Sequence, residues 1–135
     1  MTLIACLDDR SGLLFNGRRQ SRDRLLLADL LDALPGRLLI RPFSADLFSP
    51  DPRIVLCDDP LALAEGSDTV FLEDQAPVDI GRFQRVILYR WNRVYPSDLR
   101  FTLSPAAEGF TLTQSLDFAG SSHEKITKEV WEREK

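Results

Sequence analysis

Between Asn16 and Arg24 the sequence reads Asn-Gly-Arg-Arg-Gln-Ser-Arg-Asp-Arg, crowding Arg18, Arg19, Arg22 and Arg24 into one short stretch. Guanidinium forks grip carboxylate and phosphate groups through paired hydrogen bonds, and the start of a helix adds unpaired backbone donors. Asn16, Arg18, Arg19, Gln20, Ser21, Arg22 and Asp23 are therefore the candidate ligand-binding set, suited to a small anionic or nucleotide-like ligand or to a protein partner. Asp23 is the carboxylate of that set. The same arginines also suit a solvated loop in which they pair with Asp8, Asp9, Asp23 or Asp29, where each exposed pair is worth about 0–1 kcal/mol. The sequence alone leaves both readings open.

Other reactive side chains are sparse. Trp91, with Tyr89 and Tyr95, offers rings that either stack on a base or complete a core. His123 is the single histidine and lacks a nearby Ser, Cys or carboxylate arrangement that would mark a catalytic triad, so it reads as a turn residue. Cys6 and Cys57 each lie in an aliphatic run, where a thiol behaves as a small buried hydrophobe. Two distant cysteines and one histidine do not make a zinc site, and the expectation is no metal. Cys6-Leu7-Asp8-Asp9 and Leu56-Cys57-Asp58-Asp59 both place two acids directly after an apolar run. At the carboxyl ends of parallel strands such acids face the usual ligand crevice, but Asp also starts turns and caps helices.

The elements that must position these groups follow from periodicity. Residues 2–7 are a buried strand that leaves the sheet for a polar loop from Asp8 to Gln20. Leu27, Leu30, Leu31 and Leu34 fall at helical spacing within residues 22–34, with Ser21 as N-cap and Asp23 in the first turn. Pro35-Gly36 ends that helix, and Leu38–Ile40 is a second strand. A helical turn at Ser44–Phe48, a strand at Ile54–Cys57, a short helix at Pro60–Glu65 and a strand at Thr69–Leu72 continue the alternation. After Gly81 the pattern changes to strands without helices, at Arg85–Trp91, Leu99–Leu103 and Phe110–Thr113. The tail from His123 to Glu132 fits a helix or a strand equally.

A length of 135 residues fits one domain, residues 1–135, with a core of its own. The hydrophobic fraction of 44%, the charged fraction of 28% and the net charge of -4 describe an ordinary globular chain. That acidity speaks against nucleic-acid binding by the whole surface. Met1 to Arg10 lacks the basic start and long apolar run of a signal peptide, and no stretch has the roughly 20 apolar residues of a membrane span. The expected location is the cytoplasm, away from membranes.

Leu3 to Gly17, an aliphatic strand leading to an Asn-Gly turn, resembles the first strand and loop of dihydrofolate reductases. Arg85 to Leu103 resembles that family's late strand pair, and Ser122-His123-Glu124 running into Ile126–Arg133 resembles its terminal strand. The resemblance implies an α/β fold: a twisted, mainly parallel sheet flanked by helices, with antiparallel C-terminal strands. It also assigns the tail to a strand. The reductase residues are not matched. Leu14 stands where the loop glycine is expected, Arg18-Arg19-Gln20 replaces the Pro-Trp segment, and Leu25 aligns with the catalytic acid, two residues after Asp23. The paired glycine that holds the nicotinamide cofactor after a late strand is replaced by Glu73-Asp74-Gln75.

The resemblance therefore implies a diverged domain that is not an active reductase, carries no cofactor and binds an anionic ligand or a partner. The alternative is an NADPH-dependent reductase of a pterin-like substrate with Asp23 as its acid. A third reading is an RNA-associated role, since the opening segment is also similar to chains named as tRNA 3′-processing nucleases. Metal-dependent chemistry of that kind needs clustered His and Asp ligands, which one histidine does not supply. A terminal strand left at the sheet edge would also allow a homodimer.

Overall fold

The computed structural model describes residues 1–134. Strand β1 (Thr2–Leu7) is apolar on both faces and occupies the middle of a seven-stranded sheet. Its alternation sends Leu3, Ala5 and Leu7 into one core and Ile4, with the partly buried Cys6, into the other. The next elements are β2 (Gly12–Phe15), β3 (Arg18–Arg19), helix α1 (Arg24–Asp32) and β4 (Leu38–Ile40). A 3-10 helix at Pro42–Leu47, β5 (Ile54–Leu56), α2 (Pro60–Leu63) and β6 (Thr69–Leu72) complete the first half. The second half contains only strands: β7 (Arg85–Arg90), β8 (Leu99–Arg100), β9 (Thr111–Phe118) and β10 (Ile126–Glu132).

The sheet order is β5-β4-β6-β1-β7-β10-β9. Neighbours from β5 to β7 run parallel, while β10 is antiparallel to both β7 and β9. The expected mainly parallel sheet with an antiparallel finish is what the chain forms, and its tail is a strand. Helix α1 covers the Ile4 face with Leu26 and Leu30, both 1% exposed. Burying a leucine to that degree stabilises by about 1.5–3 kcal/mol. Ile80, Phe83, Phe101 and Phe110, all buried, pack over the opposite face. Among the described residues no helix is long and apolar enough to cross a membrane.

Several local expectations are corrected. The segment from Asp8 to Gln20 is not a plain loop, because β2 pairs with β3 and β8 in a separate three-stranded sheet. Leu99–Leu103 contributes only Leu99–Arg100 to that small sheet and no strand to the main one. The terminal strand β10 is interior; the sheet's edge strands are β5 and β9, and the β9 residues Thr111–Asp117 are all exposed. Helix α1 starts later than expected, and its N-cap is Asp23 in place of Ser21: the Asp23 carboxylate accepts from the N–H groups of Leu25 and Leu26 at 3.0 and 3.2 Å.

Candidate functional site

Asn16 and Gly17 both take positive φ, 51° and 67°, which is the two-residue hairpin turn that Asn-Gly favours. Its register pairs Phe15 with Arg18 and Leu14 with Arg19. Because side chains alternate across a strand, consecutive arginines leave the hairpin on opposite sides. Arg19 turns inward, with 15% of its side chain exposed. Its Nε donates to Glu73 Oε2 at 2.6 Å and its Nη2 donates to Glu73 Oε1 and Asp46 Oδ1 at 3.0 Å each. The guanidinium also lies 5.2 Å from the Phe43 ring centre. Glu73, which follows β6, accepts a further bond from Ser44 Oγ at 2.7 Å. Burial first, and then the Glu73 charge, push the Cys6 thiol up, so it stays protonated and unreactive.

Arg18 is exposed, and among the described residues its guanidinium makes no hydrogen bond or ion pair. It borders an open cleft of about 380 Å³ lined by Phe15, Asn16, Arg18, Arg19, Gln20, Tyr95 and Pro96. Asp8 braces the far wall. Fully buried at the end of β1, its carboxylate accepts from Tyr95 N–H at 2.9 Å and from Gly12 N–H at 2.7 Å. The acid pairs after the apolar runs are thus structural where their contacts are visible, since Asp59 caps α2 through Ala62 N–H. Closer to β1, between Cys6, Leu13, Arg19, Gln20, Ser21, Glu73 and Trp91, only about 10 Å³ remains.

Of the predicted set, Asn16, Arg18, Arg19 and Gln20 therefore share the open cleft, whereas Ser21, Arg22 and Asp23 do not line it. Ser21 and Asp23 instead converge on His123, the residue read from sequence as a turn. His123 Nδ1 lies 2.9 Å from Asp23 Oδ2, and its Nε2 lies 2.8 Å from Ser21 Oγ. Tyr95 Oη stands 3.4 Å from the same Nε2. The Trp91 ring stacks on the imidazole, centres 4.6 Å apart and 26° from parallel, which explains why Trp91 is buried. The Asp23 side chain is wholly buried and His123 is 3% exposed.

Besides capping α1, Asp23 accepts from Ser121 N–H at 3.0 Å and Ser122 N–H at 2.9 Å. Burial alone would raise the Asp23 carboxyl, but the Ser122 and Ser121 amides and the His123 ring outweigh it and hold the group well below the usual carboxylate range. The His123 pairing spans 100 residues of chain, so no local sequence signal could have revealed it.

This packing leaves no room at Gly120. A Cβ there would collide with Asp23 Oδ2 and stand 2.8 Å from both Asp23 Cγ and Ile126 Cδ1. Gly120→Ala is expected to cost about 1–3 kcal/mol, the usual range for overpacking. Urea titration checks this, and an unchanged midpoint would show that the 119–125 turn yields freely.

No family model and no curated sequence matches the chain. Among solved structures, it is similar to a dihydrofolate reductase from Enterococcus faecalis complexed with NADP(H) and RAB-propyl. The identity is 10%, the TM-score 0.71, and the match covers 99% of this chain and 96% of that one. The chain has the dihydrofolate reductase fold.

Proposed function

We propose that this domain uses the reductase fold without the reductase chemistry, and binds a small anion-bearing, nucleotide-like ligand in the cleft between Phe15 and Tyr95. The observation that carries this reading is the unpartnered Arg18 guanidinium at the rim of a cleft of about 380 Å³. An arginine of this kind is poised for a phosphate or carboxylate, and the Phe15 and Tyr95 rings supply apolar walls for a planar group. Arg19 plays a different part: it holds the cleft floor shut through Glu73 and Asp46.

The residues after β6 do not suit a nicotinamide dinucleotide. Glycines there would let backbone N–H groups approach a pyrophosphate, whereas Glu73 and Asp74 present carboxylates that repel it. Those carboxylates are already paired with Arg19 and Arg41. Asp23 is equally unsuited to protonate a pterin, because its oxygens are committed to α1, the 121–122 amides and His123. Leu25, aligned with the family's acid, is exposed on the helix surface.

Thermal-shift titration with AMP and with inorganic phosphate tests the reading. Ligand at 100 times its Kd adds about 2.7 kcal/mol of stability. Arg18→Ala is expected to abolish that gain while Arg24→Ala keeps it. A gain indifferent to Arg18, or none at all, rejects this site. NADPH consumption with dihydrofolate that Asp23→Asn eliminates would establish a reductase instead.

A further inference from the structure

Ser21, His123 and Asp23 lie on two segments a hundred residues apart, yet their polar atoms line up in one direction. Asp23 Oδ2 meets His123 Nδ1 at 2.9 Å, and the opposite ring nitrogen meets Ser21 Oγ at 2.8 Å. A buried carboxylate that stays ionised fixes the neutral imidazole as its Nδ1–H tautomer, which leaves the Nε2 lone pair to accept from the serine hydroxyl. Trp91 locks the ring plane from one side. Ser21, unlike its two partners, is only partly buried. Simple capping does not need this arrangement, because Asp23 already caps α1 by itself.

We propose that Ser21 is a nucleophile activated by His123, with Asp23 as the positioning residue, acting on small acyl esters that approach the partly exposed Ser21 from solvent. Ser21 Oγ adds to the ester carbonyl carbon as its proton passes to Nε2. The tetrahedral intermediate then expels the alcohol, which takes the proton from Nε2, leaving an acyl-serine. Water repeats the sequence: it gives a proton to Nε2, attacks the acyl carbon and releases the acid, and Ser21 recovers its proton. The Arg22 N–H, next in the chain after the serine, makes no hydrogen bond among the described residues and would be the donor to the oxyanion. The inference stands on the three side chains and does not depend on Arg18 binding an anion.

Incubation of the full chain with a fluorophosphonate, followed by intact-mass measurement and peptide mapping, tests it. The expected result is one phosphonyl adduct, on Ser21, with loss of fluoride. Ser21→Ala should take up none, and His123→Gln should label about 100-fold more slowly or worse. Release of p-nitrophenolate from p-nitrophenyl acetate should fall in the same order. No adduct on the unaltered chain, an adduct on another residue, or equal labelling of Ser21→Ala would overturn the proposal. The mapping on the unaltered chain decides the matter even if a variant folds poorly. A failure here leaves the Arg18 thermal-shift result standing, and the reverse also holds.

Discussion

Replacing Glu73 with alanine is expected to lower the unfolding free energy by about 3–5 kcal/mol, the range found when one partner of a buried ion pair is removed. In a chain of this size that corresponds to a fall in Tm of roughly 10–20 °C. Only 10% of the Glu73 side chain and 15% of the Arg19 side chain are exposed. The variant would strand the guanidinium in the cleft floor with Asp46, whose side chain is 63% exposed and so holds it through well-solvated contacts. Ser44, buried at 1%, would lose its acceptor as well. Arg19→Met should be comparably damaging, because it leaves the carboxylate with the Ser44 hydroxyl alone.

The double replacement Arg19→Met with Glu73→Leu should recover most of the loss, since apolar side chains of similar volume need no compensation. Calorimetry with urea titration reads all three. If Glu73→Ala costs less than about 1 kcal/mol, the floor is wet and the pair is effectively a surface one. The same network bears on ligand choice, because this bridge fills the space beside β1 that a larger ligand would need.

Much of the main sheet could be read from the sequence because its strands are short apolar runs, which have few alternatives to burial on both faces. β1, β4 and β6 are of this kind, and α1 announced itself through its leucines. The small sheet was hidden for the opposite reason. Leu13, Leu14 and Phe15 form too brief a run to stand out among polar neighbours, and their pairing with Leu99–Arg100 is long-range.

The arginine loop was legible as chemistry but not as geometry. Hairpin register alone decides that Arg18 stays free at the cleft rim while Arg19 turns into its floor, and a shift of one residue would exchange them. At the helix start, Ser21 and Asp23 are both competent caps. Tertiary contacts chose between them, because the Ser121 and Ser122 amides need a carboxylate while His123 draws the Ser21 hydroxyl away. The tail also supported two periodicities, and pairing with β7 and β9 settled it.

Asp23 should therefore rank with Glu73 among the most sensitive positions outside the apolar core. Asp23→Ala removes the α1 cap and orphans the Ser121 and Ser122 amides together with the His123 ring, an expected loss of about 3–5 kcal/mol. Asp23→Asn should be milder, about 1–3 kcal/mol. Its carbonyl can still serve the helix, while its amide presents a donor to Nδ1 and forces the imidazole into the other tautomer.

The charge has a pH signature whose sign is fixed. A carboxyl depressed in the folded state contributes stability above its unfolded value near 4, and that contribution drains away as pH falls toward the folded value. Asp8, for which burial is likewise outweighed by the Tyr95, Gly12 and Arg10 amides, adds to the effect. Stability measured by urea between pH 6 and about 2.5 should thus decline on the acid side, each such group adding up to about 1.4 kcal/mol per pH unit. The Asp23→Ala curve should be shallower by about one proton. Parallel curves would mean that Asp23 is not ionised against the 121–123 turn, and the tautomer argument for His123 would fail with it.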